Sequence, residues 1–365
     1  MKIGILGTRG VPNFYGGFEQ FAAYLSKYLV NKGHEVWVYN SNLHPYQEST
    51  WEGVSIIHCY DLEDKIGTAG QFVYDLNCIL DSRKRGFDVL LQLGYTSSSI
   101  WGRLLPSQSI IVTNMDGLEW KRSKFNTYVQ RFLRYAESLA VKRSDFLVSD
   151  SIGIQNYIQN KYDRSSEYIA YGADLFKSPD VNVIEKYGIA KYSYHLLIAR
   201  MEPENNIEVI LDGYCLSQSE EVFLVVGKTE NTFAKYLIDK YKSYSNIRFL
   251  GGIYDLNELN NLRYFCRLYF HGHSVGGTNP SLLEAMASSA LIVAHNNIFN
   301  QTILEKSSFY FENKEDIAKY VNADLSPAQR NNMISENLNK IEHQFSWEKI
   351  VSSYEDLFIK LKQKN

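Results

Sequence analysis

The chain has 365 residues, more than one hydrophobic core usually fills, so two domains are expected. Hydrophobic residues make up 45% and charged residues 22%, with a net charge of −3, which is an ordinary globular balance and excludes the basic excess of a nucleic-acid binder. Cys59, Cys78, Cys215 and Cys266 are scattered without a C-x-x-C or zinc spacing, so they read as reduced thiols of a cytoplasmic protein, and no metal is expected. The N-terminus leads straight into an apolar run, leaving no room for a signal peptide, and no stretch reaches the ~18 apolar residues of a spanning helix.

In chain order, "KIGIL" reads as a buried strand, and Phe18, Phe21, Ala22, Leu25 and Leu29 then share one helical face. Strands follow at "GHEVWVYN", "VSIIHCY", "FDVLLQLG" and "SIIVTN". A long helix spans about 126 to 143, before "DFLVSD" and "SEYIAYGAD". After the polar helix "DVNVIEKYGI" the rhythm restarts with "YHLLIAR", "EVFLVVG", "IRFLGG", "RLYFHG" and "ALIVAH", each separated by a helical pattern. The last stretch, "SWEKIVSSYEDLFIKLKQ", is an amphipathic helix. Two successive Rossmann-like units with parallel sheets are therefore expected, joined near 172–180, and the cleft between them is the default ligand site.

Four segments carry candidate chemistry. In "HSVGGTNPSLLEAMAS" Gly276 and Gly277 allow close backbone approach, Asn279 suits an N-cap and Pro280 the first helical position. The helix terminus so formed can hold a diphosphate, with Thr278 and Glu284 beside it; a tight turn with a surface glutamate is the plain alternative. Arg200 and Lys228 each end a predicted strand, where a guanidinium and an ammonium can meet phosphate oxygens. Asp116 follows another strand and can bind a sugar hydroxyl or act as a base, unless it only makes an Asx turn. His271 and His273 share a strand face, with His273 reaching the site and His271 in the core; two imidazoles alone do not make a metal site.

"GTRGVPNFYGGFEQF", residues 7–21, is the fourth, and is too long for the dinucleotide fingerprint. Gly16 and Gly17 supply amides at a helix start, while Arg9, Tyr15 and Glu19 are candidates for phosphate, acceptor or sugar contact. The loop is expected to act as a lid reaching across the cleft. Lys121, Arg122, Lys124, Arg131, Arg134, Lys142 and Arg143 are opposed only by Glu137 in their run, which is either a solvated helix face or a patch for anionic lipid over 121–143.

Taken together these segments resemble a family 4 glycosyltransferase of the GT-B fold over nearly the whole chain. The resemblance rests on "VSDSIGIQNYI", "IAYGADLF", "IARMEPENNIEVIL", "NPSLLEAMASSALIVA" and "FSWEKIVSSYEDLF". "GTRGVPNFYGGFE", "MDGLEWKRSKF" and "HSVGGTNPSLLEAMA" are similar to bacterial polysaccharide rhamnosyltransferases. The resemblance implies an acceptor-side domain over 1–172 with the C-terminal helix 346–365 crossing back to it, and a nucleotide-sugar domain over 173–345. It implies retaining, metal-independent transfer of L-rhamnose from dTDP-β-L-rhamnose to a lipid-linked saccharide, without a cofactor, at the cytoplasmic face of a bacterial inner membrane. Arg200, Lys228 and Asp116 are the residues expected to serve catalysis.

Two positions depart from the family pattern. The first glutamate of its E-x(7)-E motif falls on Gly276, leaving Glu284, whose counterpart usually binds the donor ribose. The clamp lysine falls on Asn205, so Lys228 is expected to supply the second positive charge. A UDP- or GDP-hexose donor, or a non-catalytic sugar-nucleotide-binding scaffold, are the alternatives. A nicotinamide enzyme is disfavoured because the G-x-G-x-x-G loop with its following acid is absent.

Overall fold

Leucine and β-branched residues concentrate in short runs that become strands buried on both faces, as a parallel sheet covered by helices requires. The computed structural model describes residues 1–364 apart from Tyr15, Ser123, Lys124 and Leu325. Its first sheet contains β1 (Lys2–Leu6), β2 (Glu35–Ser41), β3 (Thr50–Trp51), β4 (Val54–Cys59), β5 (Val89–Leu93), β6 (Ile110–Asn114), β7 (Phe146–Ser149) and β8 (Glu167–Tyr168). Their spatial order is β3-β4-β2-β1-β5-β6-β7-β8. The second sheet contains β9 (Tyr194–Ile198), β10 (Val222–Val226), β11 (Ile247–Gly251), β12 (Leu268–His271), β13 (Ile292–His295) and β14 (Phe309–Phe311), in the order β11-β10-β9-β12-β13-β14.

Among the described residues all strand pairings are parallel but one. β3 and β4 form an antiparallel hairpin, with Trp51 opposite Val54. Glu52 and Gly53 between them both take positive φ, 49° and 81°, which is the backbone of a two-residue hairpin turn. The sequence reading missed this edge because Glu-Gly is a weaker turn signal than Asn-Gly.

Chain contacts divide the molecule into two units. The first holds 1–121, 125–171 and 347–365, and the second holds 122–124 and 172–346. In each sheet the chain builds outward from one strand, then returns to its other side. The reversal falls between β1 and β5 in the first unit and between β9 and β12 in the second. Loops leaving the carboxyl ends of such neighbouring strands diverge and open a ligand site.

In the first unit the helix Gly17–Asn31 buries Phe21, Ala22, Leu25 and Leu29, the stripe expected from its periodicity. The C-terminal helix Trp347–Lys364 packs on it: Trp347 stacks on Tyr24 with centroids 4.3 Å apart, and Tyr354 meets Phe21 at 4.9 Å. One expected helix is shorter. "DVNVIEKYGI" is helical only over Asn182–Glu185. The long helix expected over about 126 to 143 is Thr127–Arg143, starting where the Asn126 side chain caps it by accepting from the Val129 N–H, while of the basic segment 121–143 Lys121 belongs to the short 3-10 turn Glu119–Lys121.

The first part of the loop after β1 is held against its own unit. Thr8 and Val11 are buried, and the Asn40 side chain brackets Val11, accepting from its N–H at 3.0 Å and donating to its carbonyl at 2.8 Å. The Tyr74 hydroxyl donates to the Thr8 carbonyl at 2.9 Å, and the Ser41 N–H to the Arg9 carbonyl at 3.0 Å. Among the described residues of the loop, only Asn13, Phe14 and Gly16 are exposed. A buried backbone group without a partner costs about 1–3 kcal/mol. Asn40→Ala strands two such groups, so urea unfolding should show a loss of about 2–4 kcal/mol, with the transition still cooperative.

Candidate functional site

In the second unit the strand ends at the reversal come together through backbone approaches that only small residues permit. A Cβ at Gly272 would stand 2.0 Å from the Asn205 carbonyl oxygen, and one at Gly227 would stand 2.1 Å from that of Ala199. The loops after β9, β10 and β12 are therefore in contact, which sets Arg200, Lys228 and the 272–279 turn at one edge. Asn206 donates to the Gly272 carbonyl at 2.7 Å, and Ser274 donates through both its amide and its hydroxyl to the Glu204 carbonyl. Asn205 is buried, and its amide donates to the Arg200 carbonyl at 2.7 Å. The residue standing where the family keeps its clamp lysine thus shapes the Arg200 loop.

Arg200 and Lys228 are both exposed, and Lys228 Nζ lies 5.7 Å from the Tyr254 ring centre. Gly276 has φ +129°, a backbone that L side chains rarely adopt, and the helix Pro280–Ala287 follows. Asn279 caps it by accepting from the Ser281 N–H at 3.0 Å, with Pro280 at the first helical position, as its sequence suggests. Thr278 is buried, and Gly277 leads into it. The Arg200 and Lys228 cations and the positive helix end make an edge suited to a bound anion.

Behind this helix lies a buried charge that sequence reasoning missed. Arg263, 1% exposed, donates to Glu284 Oε2 at 2.6 Å and to the Asn260 side chain at 2.9 Å. Ser281, on the same helix, shares a 2.8 Å hydrogen bond with the Tyr269 hydroxyl. The ion pair fixes one oxygen of Glu284 and leaves the carboxylate at the helix, 20% exposed. Arg263 sits one residue past Leu262 in a stripe formed with Leu259, so its position beside an apolar face was the available signal.

Tyr269, His271 and His273 stack along one face of β12 and its exit, with the two imidazoles 4.4 Å apart. The shared face follows from strand alternation. His271 is buried with both ring nitrogens unpartnered, and burial pushes its pKa well below the usual range. Burial and the Arg200 guanidinium hold His273 at about 3, so it too is neutral at physiological pH. The His273 carbonyl accepts from Asn297 at 3.0 Å and Asn300 at 3.2 Å. No group of three metal-ligating side chains occurs among the described residues.

In the first unit Asp116 follows β6 with φ 50°, a left-handed backbone that Asp tolerates. The Asx turn here is made by Asn114, whose Oδ1 accepts from the Asp116 N–H at 2.9 Å and whose amide donates to Tyr354 Oη at 2.9 Å. Burial raises the pKa of the Tyr95 and Tyr171 hydroxyls, and the Asp116 charge adds to that. Gly16 is the exposed N-cap residue of the first helix, and Gly17 begins it. Arg9 and Glu19 make other contacts than the sugar contacts expected of them. The Arg9 guanidinium clasps Glu63 through two hydrogen bonds, and Glu19, 5% exposed, accepts from the Arg9 N–H at 3.0 Å. Tyr15 lies outside the described residues.

Acid should act oppositely on the two units. His195, His271, His273 and His295 in the second unit all have depressed pKa values, burial being the largest cause. Between those values and about 6.5 the unfolded chain binds more protons, so this contribution to stability is present above pH 6.5 and lost as pH falls. Asp75 in the first unit is raised to about 7 by burial, so its contribution is present below its unfolded value and is lost as pH rises through 7. His44, also depressed by burial, partly offsets that gain in acid. Hydrogen exchange at pH 7 and pH 5, corrected for intrinsic rates, should show protection falling more in 172–346 than in 1–121.

Comparison with known proteins follows this division. Residues 182–340 match the model of glycosyl transferases group 1, and residues 104–174 that of a domain of unknown function (DUF1972). No curated protein matches the sequence. Among solved structures, sucrose-phosphate synthase from Thermosynechococcus elongatus superposes with a TM-score of 0.81 at 14% identity, covering 100% of both chains. Anabaena HepE in complex with UDP and glucose gives 0.76 at 15% identity, covering 98% of this chain and 99% of its own. WaaG, a glycosyltransferase involved in lipopolysaccharide biosynthesis, gives 0.72 at 14%, again covering 98% and 99%. The chain therefore carries a group 1 glycosyltransferase domain in its second unit, and its two parallel-sheet domains have the GT-B fold.

Proposed function

We propose that the protein transfers a sugar, L-rhamnose from dTDP-β-L-rhamnose, onto a lipid-linked saccharide in bacterial cell-surface polysaccharide synthesis, with retention at the anomeric carbon and without a metal. The observation that carries the transferase reading is the meeting of Arg200, Lys228 and the Asn279-capped helix at one edge of the group 1 domain. On this reading the donor diphosphate lies against the 276–279 turn, and the two cations stabilise the charge that grows on the leaving phosphate. Glu284, steadied by Arg263, accepts from the donor ribose. His273 offers a neutral imidazole to the sugar, and Asp116 meets the acceptor hydroxyl or the transferred sugar. The choice of rhamnose rests on the three sequence segments that resemble rhamnosyltransferases. HepE, solved with UDP and glucose, supports the second reading, a UDP-hexose donor.

A panel of dTDP-L-rhamnose, UDP-glucose and GDP-mannose against lipid-linked glucose and N-acetylglucosamine decides between them. The expected result is acceptor-dependent release of dTDP, with the product anomer matching the donor. Asp116→Asn should lower kcat about 100-fold or more, and Lys228→Ala should raise the donor KM about tenfold. Full turnover in Asp116→Asn, or unchanged donor affinity in Lys228→Ala, removes that residue from the assignment. Donor binding with no transfer to any acceptor favours a scaffold.

The membrane contact proposed for this reaction uses the helix Thr127–Arg143. Its outward side presents Tyr128, Arg131, Arg134, Tyr135 and Lys142, with Tyr128 80% exposed. Glu137, the acid expected to offset these bases, points inward and is 1% exposed. Co-sedimentation with vesicles should rise with anionic lipid content and fall in Arg131→Glu/Lys142→Glu. Binding that ignores lipid charge counts against the contact.

A further inference from the structure

The inward-facing Glu137 collects more hydrogen bonds than a helix carboxylate needs for its own satisfaction. It lies on the same face as Leu133, Ala136, Ala140 and Val141, all buried. Its Oε1 accepts from Tyr157 at 2.8 Å, Lys161 at 2.8 Å and Tyr162 at 2.6 Å, all on the helix Ile152–Tyr162. Its Oε2 faces the other way, accepting from the Trp120 indole N–H at 3.1 Å and, more weakly, from the Tyr95 hydroxyl at 3.5 Å. One oxygen thus grips a helix and the other grips the segment that contains Asp116.

We infer that Glu137 is a positioning residue that sets Asp116 for transfer by holding Trp120. The inference rests on the proposed role of Asp116. Directly after Asp116 the backbone folds into tight turns that lead to Trp120, with the Glu119 N–H donating to the Gly117 carbonyl and the Lys121 N–H to that of Leu118. A shift of the indole is therefore carried back to Asp116. The ring is also held on its face by the Arg134 guanidinium, 4.4 Å from its centre, and approached by Tyr157 at 6.2 Å. At the near end, Asn114 holds the Asp116 N–H. With both ends fixed, a left-handed residue that would relax in an open loop keeps its conformation. Asp116, Trp120, Glu137, Tyr157, Lys161 and Tyr162 all fall within residues 104–174, which gives a chemical role to the domain of unknown function.

Hydrogen exchange of the 115–122 amides and steady-state turnover test this together, using the full chain with dTDP-L-rhamnose and UDP-glucose as donors. Glu137→Gln and Trp120→Phe should each raise exchange in that segment and lower kcat about tenfold, with donor KM unchanged; the double variant should be no worse than the worse single one, as expected of residues acting through one contact. Tyr162→Phe removes a bond to the other oxygen, and should lower the melting temperature while leaving kcat within about twofold. Wild-type exchange in both Glu137→Gln and Trp120→Phe overturns the inference, as does a kcat loss in Tyr162→Phe equal to theirs. Should Glu137→Gln fail to fold, Trp120→Phe, which removes the indole N–H, decides alone. If Asp116→Asn keeps full turnover, the role of Asp116 fails by itself, while the exchange data still report whether Glu137 holds the segment.

Discussion

A polar group removed from water must find a partner, and the carboxyl ends of the strands in both units are organised by that requirement. Parallel strands deliver their loops to one edge, but the strands alone do not fix the shape of those loops. Here buried or half-buried polar side chains fix much of it. Asn40 brackets Val11 after β1, Asn205 bonds the Arg200 carbonyl after β9, and Asn297 and Asn300 hold the His273 carbonyl after β12. Glu137 does the same for the Asp116 segment through Trp120. Each such bond contributes little net stability when made and costs more when broken, which favours one loop geometry over its alternatives. Preorganisation of this kind allows fixed charges to act without reorganising during a reaction.

The strands and the capped helix were legible because their signals are local. "KIGIL" and "YHLLIAR" are apolar runs that become central strands, and Asn279-Pro280 names a helix start through backbone chemistry alone. The pinning residues were not legible, because a buried polar side chain looks like a surface one until its partner is known. Arg263 and Glu284 are 21 positions apart, and Glu137 and Trp120 are 17 apart. Glu137 stands in a run of bases, where counting charge along the chain places it opposite them, whereas helical geometry turns it toward Leu133 and Ala140. The anchors of the loop after β1 were hidden for a related reason: its glycines suggest reach, while Asn40, Tyr74 and Ser41, far along the chain, hold Thr8, Arg9 and Val11.

The two departures from the family pattern follow from the same logic. Gly276 stands where a glutamate is usual, at φ +129°, so a side chain there would be strained whatever its charge. Asn205 is short enough to stay within the loop it closes, donating to the Arg200 carbonyl, whereas the four-carbon stem of a lysine would have to leave it.

The charge at that edge then has to be supplied and limited by other groups. Arg200 and Lys228 provide two exposed cations at neighbouring strand ends, and the first turn of Pro280–Ala287 adds the partial charge of its amides. His271 and His273 stand next to them and are kept neutral, by burial first and by neighbouring positive charge second. A protonated His273 would bring a further cation to the same edge and repel Arg200. On the proposed reading that restraint matters, because the site must stabilise a departing diphosphate without holding the product too tightly to release it. On that reading the half-buried His273, stacked on the buried His271, offers a neutral imidazole to sugar hydroxyls and leaves the positive charge to Arg200, Lys228 and the helix end.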